Sequence, residues 1–219
     1  MPGYTEKSVK TEAEDKPRRK LSAPDRKEQI VSIAIGLIAT GGLEGFRFQE
    51  VAREAGINNA TLSYHFAGKE ELVAGVMEHM SELLREGLGR PADRETTARE
   101  ELRLEFEHIG ALLGKQHELF TVFIELSMRA TRDRSIAEGM SRLEDDWSRR
   151  LRAIVKQGRK AGAFRPETST EEIASLLMAQ IKGLIFQALT TGWKPKEVKR
   201  SARELALVAE RWLTGDAQA

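Results

Sequence analysis

The sequence predicts an all-α fold of nine helices, for three reasons. Apolar residues recur at spacings of three and four along most of the chain, the pattern of one buried helix face. No segment shows the apolar–polar alternation typical of a half-buried strand. The 219 residues are 40% hydrophobic and 32% charged with six prolines, which is typical of a globular chain long enough to bury a sizeable core.

The N-terminal end combines a polar tail with the first helix. Residues 1–20 hold almost no apolar side chains and end in a basic cluster, which predicts a disordered tail. Ser22 is a good N-cap and Pro24 suits a first turn, so we expect the first helix to begin there. The Gly41-Gly42 pair is expected to end it.

Two short helices follow, predicted over 48–55 and 59–65 and separated by a turn at Ala55-Gly56-Ile57-Asn58. Asn58 or Asn59 is the expected cap of the second helix. This spacing is typical of a helix-turn-helix. The second helix carries small or hydrogen-bonding side chains. Such side chains suit a groove of DNA, since Asn pairs with adenine and hydroxyl groups bond bases or phosphates.

Six further helices are predicted from Lys69 onward, each marked by an apolar stripe. The segment from Ile173 to Leu189 is apolar around most of its circumference, and such a helix is buried on all sides. Its second side packs either on another copy of the chain or within the core of a monomer. Under the first interpretation, helices over 170–190 and 196–213 form a four-helix dimer interface that includes Leu177, Ile181, Leu184, Leu205 and Trp212.

Composition and charge exclude several functional classes. The chain has no cysteine, which excludes disulfides, thiolate catalysis and cysteine-based zinc sites. The net charge is +1, but residues 16–69 hold nine Lys or Arg against five acids. That excess indicates either an anionic partner or an ordinary charge fluctuation. The N-terminus has no signal-peptide pattern and no apolar run approaches a membrane span, so we expect a cytoplasmic protein without membrane contact.

Three blocks of sequence, in order, resemble the TetR family of bacterial transcriptional regulators. They are Phe46-Arg47-Phe48-Gln49-Glu50-Val51-Ala52-Arg53-Glu54-Ala55-Gly56-Ile57, Thr61-Leu62-Ser63-Tyr64-His65-Phe66 and Lys69-Glu70-Glu71-Leu72. The resemblance covers residues 25 to about 75; after residue 76 it extends only to architecture and length. The loop Gly162-Ala163-Phe164-Arg165-Pro166 also resembles a common feature of the family.

The resemblance implies a division into domains and a function. Residues 21–68 form a helix-turn-helix DNA-binding domain after the tail, and residues 69–219 form a helical ligand-binding and dimerisation domain. The implied protein is a homodimer that binds a palindromic operator. It represses transcription until a small-molecule effector enters the C-terminal domain.

The resemblance also implies which side chains contact DNA. Thr61, Tyr64 and His65, together with Lys69, match family positions that contact phosphates or base edges. Gln49 matches a position from which some members read a base. With the remaining polar and small residues of the turn and second helix, the predicted set is Gln49, Asn58, Asn59, Ala60, Thr61, Ser63, Tyr64, His65 and Lys69. Two positions depart from the family: Arg47 replaces a Ser or Thr cap, and Ser63 replaces a tyrosine.

The resemblance also implies an effector pocket in the C-terminal domain. Because pockets between helices are mostly apolar with few polar anchors, we expect a small, largely apolar effector. The candidate pocket residues are aromatic or aliphatic side chains, which also fit a plain core, and two polar anchors. They are Phe106, His108, Phe120, Phe123, Ile124, Met128, Arg129, Trp147, Met178 and Phe186. Gln180 is a further candidate polar anchor.

Two other functional hypotheses stay open at this point. One is a regulator of the same architecture without a small-molecule effector, and the other is an all-helical enzyme. The sequence offers little for an enzyme, since it has no Gly-rich phosphate loop after a strand and no Gly-x-Ser-x-Gly elbow. His79, His108 and His117 lack the i, i+4 spacing of a helical metal site. We therefore expect no catalysis, no cofactor and no metal.

Overall fold

The computed structural model describes residues 22–86, 96–165 and 169–215, and within these ranges it forms nine α-helices and no strand. The predicted fold class is confirmed. The helices are α1 (Ala23–Gly45), α2 (Phe48–Ala55), α3 (Asn59–His65), α4 (Lys69–Glu86), α5 (Ala98–Lys115), α6 (His117–Ala130), α7 (Arg134–Lys160), α8 (Thr170–Thr190) and α9 (Pro195–Thr214). The predicted tail over 1–20, the predicted break at Gly87–Pro91 and Pro166 lie outside the described residues.

Local signals set the ends of the first helix. The hydroxyl of Ser22 accepts a hydrogen bond from the backbone N–H of Asp25, as an N-cap does. The helical dihedral angles break at Gly42, whose φ is +68°. This left-handed conformation is nearly free of strain only for glycine. The regular part of α1 therefore ends at the predicted glycine pair, and one further turn continues to Gly45.

Helix α4 connects the N-terminal helices to the rest of the chain, packing against both α1 and α7. Phe66, which follows α3, lies so close to Gly75 that an added Cβ would be 2.8 Å from the ring carbon Cε1. Met77 approaches Gly139 of α7 with similarly little space for a Cβ. Close packing therefore joins α4 to the end of α3 on one side and to α7 on the other.

Replacing Gly75 by Ala is expected to destabilise the protein by about 1–3 kcal/mol, because the new methyl group displaces the Phe66 ring from a close-packed site. Gly36 of α1 is the matched control, since a Cβ there meets nothing closer than a Glu118 oxygen at 3.8 Å. Gly36→Ala is expected to stabilise by about 0.5–1 kcal/mol through helix propensity. Denaturant unfolding measures both changes; equal effects of the two substitutions would contradict the packing.

The C-terminal domain is a bundle of α5 to α9, in which α5 packs along α9 and α7 along α8. Two contacts show that α7 and α8 are antiparallel. Arg159 donates to the hydroxyl of Thr170 at 3.1 Å, and Lys182 pairs with Glu144 at 2.6 Å. Going up α7 therefore corresponds to going down α8, and residues between 144 and 159 lie level with residues between 182 and 170.

Helix α8 requires a correction to the sequence analysis. Its 21 residues contain an 18-residue window of mean hydropathy 1.4, so the helix is long and apolar enough to cross a membrane by length and composition. The sequence-based statement that no apolar run approaches this length was wrong. The finding is weak evidence for a membrane span, because core helices pass the same test and 44% of this window is buried in the fold. The exposed side chains of Leu176 and Phe186 show that α8 has a second apolar face.

Candidate DNA-binding and effector-binding sites

A tight turn fixes the angle between α2 and α3. Gly56 adopts a left-handed conformation with φ +64°, and its N–H bonds the carbonyls of Ala52 and Arg53. Asn58 then caps α3, its side-chain oxygen accepting from the N–H of Thr61 at 2.7 Å. Leu62 is fully buried and anchors α3 on the core. The turn, the cap and the anchor together leave the opposite face of α3 toward solvent.

The solvent face of α2 and α3 carries most of the side chains predicted to contact DNA. Tyr64 is the most prominent, with 83% of its surface exposed, and its ring meets the ring of His65 edge to face at 5.2 Å. The other predicted residues of this face are either exposed, as are Gln49, Asn58, Asn59, Ala60 and Ser63, or half-buried, as are Thr61 and His65. All are accessible to a ligand, and their contact with DNA stays a prediction.

Lys69 differs from the rest of the predicted set. Its ammonium donates to the carbonyl of Leu43 at 2.7 Å and to that of Phe46 at 3.1 Å. It also lies 5.5 Å from the centre of the Phe46 ring. Burial lowers the pKa of Lys69, and the nearby cations Arg47 and Arg129 lower it further. The structure thus gives Lys69 a positioning role between α4 and the end of α1, and its predicted phosphate contact stays a prediction.

Replacing Lys69 by Met is therefore expected to reduce stability by about 1–3 kcal/mol, since two charge-assisted hydrogen bonds are lost. Operator affinity falls because α3 is less well held. The slope of log affinity against log salt concentration is expected to differ from that of the wild type by less than the value of one phosphate contact. Fluorescence anisotropy across a salt series measures the slope. If the variant kept its stability and its salt dependence fell by one full phosphate contact, Lys69 would contact a phosphate as predicted from the sequence.

Two side chains of α6 hold the same segment, residues 43–46, which we call the junction. Glu125 accepts a hydrogen bond from the N–H of Leu43 at 3.1 Å, and Arg129 pairs with Glu44 at 3.0 Å. Arg47, which follows the junction, makes no side-chain hydrogen bond as the N-cap of α2, in keeping with its departure from the usual cap residue. Arg129 therefore lies at the contact between the two domains, outside the predicted effector pocket.

The interior of the C-terminal domain contains seven of the ten predicted pocket residues. Five are buried, namely Phe106, Phe120, Phe123, Trp147 and Met178, and two are half-buried, namely His108 and Ile124. Besides Arg129, two predictions were wrong: Met128 is 66% exposed and Phe186 is 55% exposed. Both residues were chosen by type alone, and the helix faces that carry them point away from the core.

Glu105 is a buried charged residue that the sequence analysis missed. It is 1% exposed, and its carboxylate accepts a hydrogen bond from the indole N–H of Trp147 at 2.8 Å. Burial raises the pKa of Glu105, while the bond to Trp147 and the charge of Arg150 oppose that shift. A signal was present, because position 105 lies on the face of α5 that carries the apolar residues Leu102 and Ile109.

The predicted dimer residues need correction as well. Leu177, Ile181 and Leu184 are buried in the core of a single chain, and Leu205 is half-buried against it. Only Trp212, 40% exposed, is available to a second copy. The exposed apolar residues of these two helices are Leu176 and Phe186 on α8 and Leu207, Val208 and Trp212 on α9.

Comparison with known proteins agrees with this geometry. Residues 30–76, which include the helix-turn-helix, match the family described as bacterial regulatory proteins, tetR family. Residues 98–209, half of the chain, match the family described as BetI-type transcriptional repressor, C-terminal. The chain belongs to the TetR family of transcriptional regulators. The resemblance inferred from the sequence is confirmed.

Similar proteins share this architecture at low sequence identity. The transcriptional regulator CymR of Pseudomonas putida is 26% identical, with 87% of this chain and 95% of that regulator covered. A transcriptional regulator from Saccharomonospora viridis in complex with choline has a TM-score of 0.71 at 24% identity, covering 83% of this chain and 95% of the other. FadR of Bacillus subtilis in complex with stearoyl-CoA also has a TM-score of 0.71, at 19% identity, with coverages of 83% and 98%.

The remaining chemistry of this TetR-family regulator is limited. Among the described residues, no group of three or more His, Asp or Glu side chains could hold a metal ion. A cleft of about 440 Å³ lies beside the contact of α4 with α7 and is lined by charged side chains, including Lys27, Glu78, Arg85 and Arg142. The cleft leaves open space next to α4, which matters for any movement of that helix.

Glu105 makes the stability of the regulator depend on pH in a specific direction. A buried carboxyl with a raised pKa binds its proton more tightly in the folded chain, so the wild type loses stability as pH rises from 4.5 through the raised pKa. Glu105→Gln removes this loss and keeps an oxygen for Trp147. We expect the variant to melt above the wild type at pH 8 and at the same temperature at pH 4. A constant difference across this range, measured by calorimetry, would contradict the assignment.

Proposed function

We propose that this regulator is a homodimeric repressor that binds a palindromic operator through α3 and is released when a small molecule binds between the helices of the C-terminal domain. The alternatives are a regulator of the same fold that no small molecule releases and, more remotely, an all-helical enzyme. The observation that carries the proposal is the fixed, exposed face of α3, where Tyr64 and Asn59 face solvent beside Gln49 of α2.

The chemistry of this face supports base reading flanked by phosphate contacts. Asn59 and Gln49 carry side-chain amides, which bond adenine in the major groove through paired donor and acceptor groups. The phenol of Tyr64 and the hydroxyl of Thr61 suit phosphate oxygens. Because Leu62 and the Gly56 turn hold α3 rigidly, these side chains enter a groove as one unit.

The exposed apolar face of α8 and α9 supports a homodimer. On α8 the exposed residues Leu176, Ala179, Gly183 and Phe186 follow spacings of three and four, so they form one stripe. A Cβ added at Gly183 would meet no atom within 4 Å, which leaves room for another helix to approach closely. A contiguous apolar face of this kind marks a protein–protein contact.

Release requires a path from the C-terminal domain to α3, and α4 supplies one. It contacts α7 through Met77 and Gly139, and it contacts the end of α3 through Gly75 and Phe66. A ligand that favours one position of α4 over another shifts the dimer toward the corresponding spacing of its recognition helices. By reciprocity, operator DNA weakens effector binding by the same factor as the effector weakens DNA binding.

The proposal is tested by selecting DNA from a random library with the full chain, followed by anisotropy on the enriched sequence. We expect a palindrome, with affinity that falls steeply as salt increases. Small molecules are then screened for release of that DNA. Selective DNA binding with no releasing compound would favour the regulator without an effector, and failure to enrich any sequence would overturn DNA reading by α3.

A further inference from the structure

Three buried acceptor atoms in the C-terminal domain have no hydrogen-bond partner: Glu105 Oε2, His108 Nε2 and Gln180 Oε1. The backbone of Leu83 interacts with the imidazole of His108. Because Nε2 has no partner, we infer that Nδ1 donates to Leu83, which leaves Nε2 as an acceptor in the neutral ring. Leaving a buried acceptor unpaired costs about 1–3 kcal/mol. Each of these atoms is therefore open to a hydrogen-bond donor, either a water molecule or a ligand.

The fold brings these three residues to one level of the bundle. Glu105 and His108 are one turn apart on the same face of α5. Trp147 of α7 is bonded directly to Glu105. Because α7 and α8 are antiparallel, with residue 159 beside 170 and residue 144 beside 182, Gln180 is level with Trp147. The three acceptors thus lie on α5 and α8, and α7, which carries Trp147, packs against both of these helices.

Arg150 does not satisfy the Glu105 carboxylate. Its Nε is 3.9 Å from Glu105 Oε2, beyond hydrogen-bond distance, and its guanidinium is 3.8 Å from Glu101. Two carboxylates therefore share one guanidinium. The local charge favours a cation over an anion, although an anionic ligand would find Arg150 Nε also unpartnered.

We propose that the effector of this regulator is a protonated amine whose N–H groups donate to Glu105, His108 and Gln180. The proposal rests on the proposed function and names the ligand class of that same site. A primary ammonium has three N–H bonds, which equals the number of unpaired acceptors. Trp147, which is bonded to Glu105, and Phe106, the next residue along α5, are buried aromatic side chains that offer apolar surface for the body of such an amine.

Three probes of similar shape test this proposal by isothermal titration calorimetry on the full chain. 2-Phenylethylammonium is a cation with N–H donors, its trimethylammonium analogue is a cation without them, and 3-phenylpropionate is an anion. We expect the primary ammonium to bind at least tenfold more tightly than either of the others, and to release operator DNA.

Variants assign the binding to the three acceptors. Glu105→Gln is expected to weaken the ammonium at least tenfold, and Gln180→Met, which keeps the size of the side chain, at least threefold. Glu107→Gln is the matched control, since Glu107 lies on the exposed side of the same helix and pairs with Arg203. Circular dichroism and operator affinity verify folding of each variant; if Glu105→Gln does not fold, Gln180→Met decides.

The outcomes separate this inference from the proposed function. If 3-phenylpropionate bound most tightly, Arg150 would be the anchor and the inference would be overturned. Equal binding of all three probes, or unchanged ammonium binding by both variants, would overturn it as well. Intact operator binding with no response to the ammonium would overturn the inference and leave the proposed repressor in place. If the wild-type protein bound no operator DNA, the proposed function itself would be overturned.

Discussion

Phe186→Glu is expected to convert the dimer into monomers at micromolar concentration and to lower operator affinity by at least a hundredfold. Phe186 is 55% exposed on the apolar face of α8, so the substitution leaves the core of the single chain intact. In the dimer it would place a carboxylate from each copy in a desolvated contact, at a cost of several kcal/mol. A monomer binds one half-site and loses the gain from binding two linked sites.

Met128→Glu is the matched control for this experiment. Met128 is also an exposed apolar residue, but it lies on α6, outside the proposed interface of α8 and α9. We expect this variant to remain dimeric and to bind the operator as the wild type does. Sedimentation velocity gives the oligomeric state and anisotropy gives the affinity. A dimeric Phe186→Glu protein would show that another surface holds the two copies together.

Asn59→Ala is expected to change which base the protein prefers at one position of each half-site, by about 1–3 kcal/mol for the lost contact. Because a dimer reads two half-sites, the loss on a symmetric operator is expected to be twice that value. Asn59 is exposed at the first position of α3 and Asn58 provides the cap, so stability is expected to be unchanged.

Binding to a panel of operators with single base changes measures this effect. Ser32→Ala, at an exposed position on α1, is the control and is expected to bind the whole panel as the wild type does. Uniform weakening of Asn59→Ala across the panel would mean that Asn59 contacts the DNA backbone and does not read a base.

The helices and the helix-turn-helix could be predicted from the sequence because local interactions determine them. The end of α2 follows from Gly56, since the left-handed turn there favours glycine, and the start of α3 follows from the capping residue Asn58. The cap of α1 at Ser22 is local in the same sense. These interactions span three or four residues, so their signals are complete within a short window of sequence.

The two faces of α8 could not be ranked from the sequence. Leu177 and Ile181 form one apolar stripe, and Leu176 and Phe186 form another. Periodicity identifies both stripes and does not say which of them packs on the chain's own core. That choice depends on where α7 and α9 lie, which is a tertiary property.

The role of Lys69 was also beyond a sequence-based prediction. Its hydrogen-bond acceptors are carbonyls 26 and 23 residues earlier in the chain, exposed where the helical dihedral angles break near Gly42. Glu105 is a different case, since a charged residue within an apolar stripe is a signal that the sequence contains. Its partner Trp147 is 42 residues away, so its bond required the structure.

In the proposed dimer, two copies of this chain present their recognition helices to one operator at a fixed spacing. Double electron–electron resonance tests it most directly, because the chain has no cysteine and Ser32→Cys places one spin label per copy on the exposed side of α1. We expect one narrow distance distribution on operator DNA, a broader one without DNA, and no dipolar coupling in the Phe186→Glu background. The absence of coupling on operator DNA, or a distribution that DNA does not change, would contradict this dimeric arrangement.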